Sequence, residues 1–179
     1  MTKMEEIKTT SNNALVNRVA KSGLVTVNLE DYFPNHEWAE MDIKPYLFHG
    51  LILKEKDFRE HLLNHDWQQY IGKVLLVYCS ADAILPVWAY MLISTYAVPY
   101  AAEIFAGTQD QYLKVHYNKV IREGNFDYLS GKRVVIKGCS KRPVPFSAYM
   151  DLTNVLVPIV QSIMYGEPCS TVPVFKKAR

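Results

Sequence analysis

Cysteine is scarce: the 179 residues hold three, Cys79, Cys139 and Cys169. An odd number at wide spacing excludes a disulfide framework and suits a reducing compartment, so all three are read as thiols. An excess of one charge is also missing. Twenty Lys and Arg against 18 Asp and Glu leave a net charge of +2, which argues against a dedicated nucleic-acid binder. The first 13 residues lack the apolar stretch of a secretory leader, and a cytoplasmic protein is expected. The one long uncharged run, between Asp82 and Glu103, is bracketed by Pro86 and Pro99 and has acidic flanks. It reads as a buried helix, not a membrane span. No GxGxxG, Walker loop, GxSxG elbow or CxxC pair occurs. Neither Cys79 nor Cys139 is followed by the arginine six positions on that a cysteine phosphatase needs, since Leu85 and Pro145 stand there.

What is present is enough apolar material for one core, 49% of residues, with 12% aromatic. A single domain over residues 14–179 is expected behind a disordered tail of residues 1–13, with no internal repeat or linker evident. A short helix is read at Ala14 to Ala20. Leu24 to Leu29 alternates as a half-buried strand does, and Trp38 to Ile43 returns as a second. Lys73 to Tyr78 is a continuous apolar run, the mark of a strand covered on both faces. Asp82 is placed to cap the next helix, which carries Trp88, Met91 and Tyr96. Ala102 to Ala106 and Arg133 to Lys137 read as further strands, separated by a helix that ends at Gly124. A last helix is read from Ser147, carrying Leu152, Leu156, Ile159 and Ile163. Alternating strands and helices predict an α/β fold: a mixed, mostly parallel sheet flanked by helices and opened by a β-hairpin.

Candidate chemistry centres on two cysteine-serine turns, Cys79-Ser80 and Cys139-Ser140, each read as following a strand and leading into a helix. Such turns line the carboxyl edge of a parallel sheet, where helix amino-termini favour anions and thiolates. Lys132, Arg133, Lys137, Lys141 and Arg142 surround Cys139 in sequence, and Ser130 to Arg142 contains no acid. Ser140, Lys141 and Arg142 are therefore candidate anion-binding residues, with a solvated loop as the plain alternative. Cys79 also reads as a small buried hydrophobe, and Asp82 as a helix cap. Should Cys79, Cys139 and Cys169 converge, with Asp82 in a fourth position, zinc or an iron-sulfur species is the expected cofactor. Cys169 follows the last helix, and a helix of about 18 residues would carry it roughly 27 Å away, toward the opposite end of the sheet. His61 and His65, four apart with polar flanks, read as surface residues.

The segments Ser22-Gly-Leu-Val-Thr-Val-Asn-Leu-Glu-Asp31, Leu53-Lys-Glu-Lys-Asp-Phe-Arg-Glu60, Cys79-Ser-Ala-Asp-Ala-Ile-Leu-Pro-Val-Trp-Ala-Tyr-Met91, Lys137-Gly-Cys-Ser-Lys141 and Met164-Tyr-Gly-Glu-Pro-Cys-Ser-Thr-Val-Pro173 together resemble the bacterial domain-of-unknown-function 2480 family. That resemblance implies a setting of iron-sulfur cluster assembly. A second likeness is architectural: Cys79-Ser80-Ala81-Asp82 in the turn before a central helix is similar to anti-sigma-antagonist domains. It implies a regulatory phosphorylation at Ser80 and a non-catalytic protein-interaction module. A homodimer, or a complex with a protein partner, is expected; a membrane or nucleic-acid partner is not.

Overall fold

Five-residue alternating or apolar segments are long enough to cross a small sheet, and the chain places four of them side by side in parallel pairs. The computed structural model describes residues 23–138, 141–167 and 169–178. The expected helix at Ala14 to Ala20 and the tail of residues 1–13 lie outside them. Strands β1 (Leu24–Asn28) and β2 (Trp38–Asp42) do not pair with each other as an opening hairpin. A small hairpin follows instead, β3 (Leu47–Phe48) with β4 (Ile52–Leu53). After α1 (Glu55–Leu63) come β5 (Val74–Tyr78), α2 (Val87–Ala97) and β6 (Glu103–Ala106). Then follow α3 (Gln109–Glu123), β7 (Arg133–Lys137), α4 (Phe146–Leu156), β8 (Ser162–Glu167) and β9 (Ser170–Lys176).

The fold is α/β and mostly parallel, as expected, but it contains two main sheets instead of one. Their orders are β2-β5-β6 and β1-β7-β8-β9, and only β9 runs antiparallel within them.

These sheets are copies. From α1 to the end of β6, every position has a counterpart 59 residues on, without a gap, as in Gly72 and Gly131, Pro86 and Pro145, or Ala89-Tyr90-Met91 and Ala148-Tyr149-Met150. Backbone bonds repeat with the same offset: Gly72 N–H donates to Tyr100 O (3.2 Å) and Gly131 N–H to Ile159 O (2.8 Å). Ala102 N–H donates to Lys73 O and Gln161 N–H to Lys132 O, both at 2.8 Å. Even a side-chain bond recurs, Ser94 Oγ to Tyr90 O (3.0 Å) and Thr153 Oγ1 to Tyr149 O (2.7 Å). The edge strands complete the pattern: β2 pairs β5 from Trp38 opposite Val74, and β1 pairs β7 from Leu24 opposite Arg133. The internal repeat that the sequence conceals is thus a structural fact. Its first half is β2, α1, β5, α2, β6; its second is β1, α3, β7, α4, β8, with β9 added.

Each half has its own core, built from matching positions. Phe58, Leu62, Trp67, Leu75, Val77 and Ile93 pack together in the first, and Tyr117, Ile121, Phe126, Val134, Ile136 and Leu152 in the second. Helix α3 also serves the first half, where Tyr112 packs on Val74 and Leu76. Burial of these side chains at about 1.5–3 kcal/mol each is the main force holding both halves.

Two helix expectations need correction. The last helix stops at Leu156 and Ile163 lies in β8, because Pro158 lacks the N–H that a further turn requires. Pro99 stands at the equivalent place after α2. Asp82 caps nothing: α2 begins at Val87 with Pro86 as its N-cap, leaving Asp82 exposed in the preceding loop. Among the described residues, no helix is long and apolar enough to cross a membrane.

Candidate functional site

Parallel strands end on a common rim, and in the first half that rim holds Cys79, directly after β5 and partly buried. Tyr78, Cys79, Tyr90, Gly107, Thr108 and Gln111 border a cleft of about 480 Å³. Tyr78 and Thr108 also border a second of about 460 Å³, which reaches Asp110 and Pro143. Asp110 and Pro143 in turn border a third, of about 570 Å³, with Lys114, Lys141 and Arg142. A continuous surface thus runs across the amino end of α3 from Cys79 to the predicted anion-binding pair. Lys141 and Arg142 are both exposed, and Arg142 lies 5.1 Å from the centroid of Phe33. Cys139 and Ser140 lie outside the described residues.

Much of the polar chemistry on this rim is engaged in holding loops. Thr108 and Gln111 form a reciprocal cap on α3, which occupies its first donors. The Lys141 N–H donates to buried Glu30 Oε1 (2.9 Å). Tyr78 donates its hydroxyl proton to Glu40 Oε2 (2.9 Å), and that bond raises the phenol's pKa. The carboxylate of Asp42 receives Ser80 Oγ–H at 2.6 Å, Ser80 N–H at 3.0 Å and Lys44 N–H at 2.9 Å, tying the end of β2 to the turn after β5. Burial pushes the pKa of Asp42 up, but these hydrogen bonds and the charge of Lys44 outweigh it and leave it below the ordinary 3.8. Because the folded-state value is depressed, this contribution to stability is complete above the unfolded value and is lost as the pH falls through the folded one. Asp42→Asn is expected to lower stability by about 1 kcal/mol near neutral pH, with the gap to wild type closing in acid. Urea unfolding at stepped pH checks this; a gap that persists below the folded-state pKa contradicts it.

The repeat changes the meaning of the cysteine-serine coincidence. At the constant offset Cys79 corresponds to Gly138 and Ser80 to Cys139, so the two turns are out of step by one residue. Cys169 moves the other way. It does not lie at the far end of the sheet, because α4 is only 11 residues and a whole strand, β8, follows it. Cys169 is exposed between Glu167 and Ser170, the last pair of the β8–β9 hairpin, at the rim where β7 also ends. Lys137 Nζ and Glu167 Oε2 meet there at 3.4 Å, so the one-sided positive field expected around residue 139 is moderated by an acid from another strand. Among the described residues, no group of three or more His, Cys, Asp and Glu is placed to hold a metal ion. Cys79, Asp82 and Cys169 therefore do not form a metal site by themselves.

Another concavity lies away from the rim. Helix α4 and strands β8 and β9 enclose a groove of about 600 Å³ lined by Phe146, Tyr149, Met150, Met164, Tyr165 and Val174, among others, with no charged residue. Phe146 at its mouth is 89% exposed and Met150 68%. The sequence reading missed this groove because it missed β8 and β9. The β-branched residues Thr171, Val172 and Val174 were the available signal, and Pro173 fits the edge strand that β9 is.

Residues 13–177 match a family model described as Protein of unknown function (DUF2480). The chain belongs to that family. No curated protein and no solved structure matches it. Membership covers both halves of the repeat, so the duplication and the β9 extension lie within one family unit.

Proposed function

We propose that this family member is a non-catalytic protein-interaction module whose contact surface is the groove between α4 and β9. The observation that carries the reading is the groove itself: a large concavity without a charged lining residue, flanked by an aromatic ring and a thioether left in solvent. Exposed apolar surface of this kind costs solubility and marks contact sites, and methionine suits surfaces that must repack around a partner. The occupant this chemistry selects is an uncharged apolar segment of another protein. Ser80 fits a regulatory place in this reading, since a phosphate there would stand against the Asp42 carboxylate and repel it, freeing the turn from β2.

Oxidation footprinting with peroxide tests the reading. In purified protein the Met150 sulfur is expected to oxidise much faster than that of Met41, which is 3% exposed. Adding the protein fraction of a cell extract should slow Met150 several-fold, and the small-molecule filtrate should not. An unchanged Met150 rate in the protein fraction, or protection by the filtrate alone, overturns it.

A second reading keeps zinc or an iron-sulfur species as cofactor, in a setting of iron-sulfur assembly. It is favoured by the exposed position of Cys169 beside the carboxyl end of β7, two residues before Cys139. Cys139 and Cys169 would then be the ligands, with further ligands from a partner or second copy. Metal analysis of protein purified without oxygen decides it: wild type should carry metal that Cys139→Ala and Cys169→Ala lose. Equal, negligible metal in all three removes this reading.

A further inference from the structure

The two halves share one strand order but differ at one sheet edge. In the second half, β8 is covered by β9, which pairs antiparallel from Ser162 opposite Lys176 to Glu167 opposite Ser170. In the first half, β6 is the counterpart of β8, and among the described residues it ends its sheet with no strand beyond it. We infer that the uncovered edge of β6 is the homodimer interface, pairing antiparallel with β6 of a second copy, which takes the place that β9 holds on β8.

The other half thus shows what kind of element covers this edge. A strand paired antiparallel with its own copy automatically creates a two-fold axis, so no second surface has to evolve. The edge is also left open to pairing. Glu103-Ile104-Phe105-Ala106 contains no Lys or Pro, whereas β9, the outer edge of the other sheet, carries both Pro173 and Lys176, residues that discourage further pairing. Charge is compatible with self-pairing. The only charged residue of β6, Glu103, stands at one end, so the antiparallel copy sets it opposite the uncharged far end of the strand, and its Oε2 is held by the Tyr112 hydroxyl at 2.9 Å. Apolar surface continues onto α2, where Val87 is 75% and Met91 66% exposed. These are the counterparts of Phe146 and Met150, which flank the β8–β9 groove; across the proposed axis they would face their own copies. The inference is independent of the α4 groove and of any metal.

Sedimentation equilibrium on the full chain tests it. Wild type is expected at twice 20.6 kDa. Ala106→Lys and Met91→Lys change exposed side chains and should each weaken the dimer at least tenfold while circular dichroism stays native. Met150→Lys, the same change at the equivalent position of the other half, should leave the dimer intact. Amide exchange adds a readout in the wild type: protection of β6 amides should fall on dilution while that of β5 holds. A monomer at every accessible concentration overturns the inference. So does a dimer that Met150→Lys breaks and the β6 and α2 changes do not, which would mean that the copies meet through the second half.

Discussion

Phe58→Ala is expected to destabilise the protein by about 3–5 kcal/mol, read as a fall in the urea midpoint with little change in slope. Phe58 is fully buried, packs edge-on to Tyr46 at 5.6 Å and Trp88 at 6.1 Å, and lies in the core between α1 and β5. Removing it leaves a cavity walled by rigid strand and helix residues that cannot close in. Its counterpart, Tyr117, carries one added burden, a hydroxyl that donates to Leu29 O at 3.1 Å inside the second core. Tyr117→Phe keeps the ring and loses that bond, so a smaller cost of about 1 kcal/mol is expected. A small effect of Phe58→Ala would mean that the first half does not pack as described.

Gly166→Ala should cost about 2–3 kcal/mol, more than Gly107→Ala at the equivalent position. Both glycines hold positive φ, +120° and +145°, which side chains of L-residues rarely adopt. The difference lies in what an added methyl meets. At Gly166 it would come within 2.6 Å of the Ser170 carbonyl oxygen, a backbone atom fixed by the β8–β9 hairpin. At Gly107 the nearest atoms, Gln111 Oε1 at 2.6 Å and a Phe105 ring carbon at 2.8 Å, belong to side chains, which can shift at the smaller cost of the Gln111 bond to the Thr108 N–H. Thermal melts of the two variants compare them directly; equal losses would show that backbone conformation alone, without the hairpin contact, sets the cost. Gly166→Ala should also unpair β9 first, visible as faster amide exchange at Thr171 and Val172 than at Val134.

Local patterns made most strands legible. The alternation of Leu24 to Leu29 and the apolar run before Tyr78 mark β1, which ends at Asn28 with Val27 buried, and β5, which is buried from Val74 to Val77. Helical spacing misled after Leu156, because Ile159 and Ile163 continue the same three-and-four-residue rhythm into a turn and a strand. The rhythm records burial, and Pro158 decides the backbone. The repeat stayed hidden because it conserves volume and burial more than identity: Phe58 answers Tyr117, Trp67 answers Phe126, Ile93 answers Leu152. Which strands share a sheet depends on pairings far apart in the chain, so one sheet and two predict the same local signals. The site suffered for the same reason. Exposed Met91 and Met150 look like core residues on a helix until β6 and β9 are placed beside them.

The most direct test of the working surface is the methyl spectrum of protein labelled at its methionine methyl carbons. On adding the protein fraction of a cell extract, the Met150 and Met164 signals, both from the α4 groove, should shift or broaden while buried Met41 stays unchanged, and the small-molecule filtrate should move neither. If Met150 and Met164 keep their free positions in the protein fraction, the groove is not where this protein meets its partner.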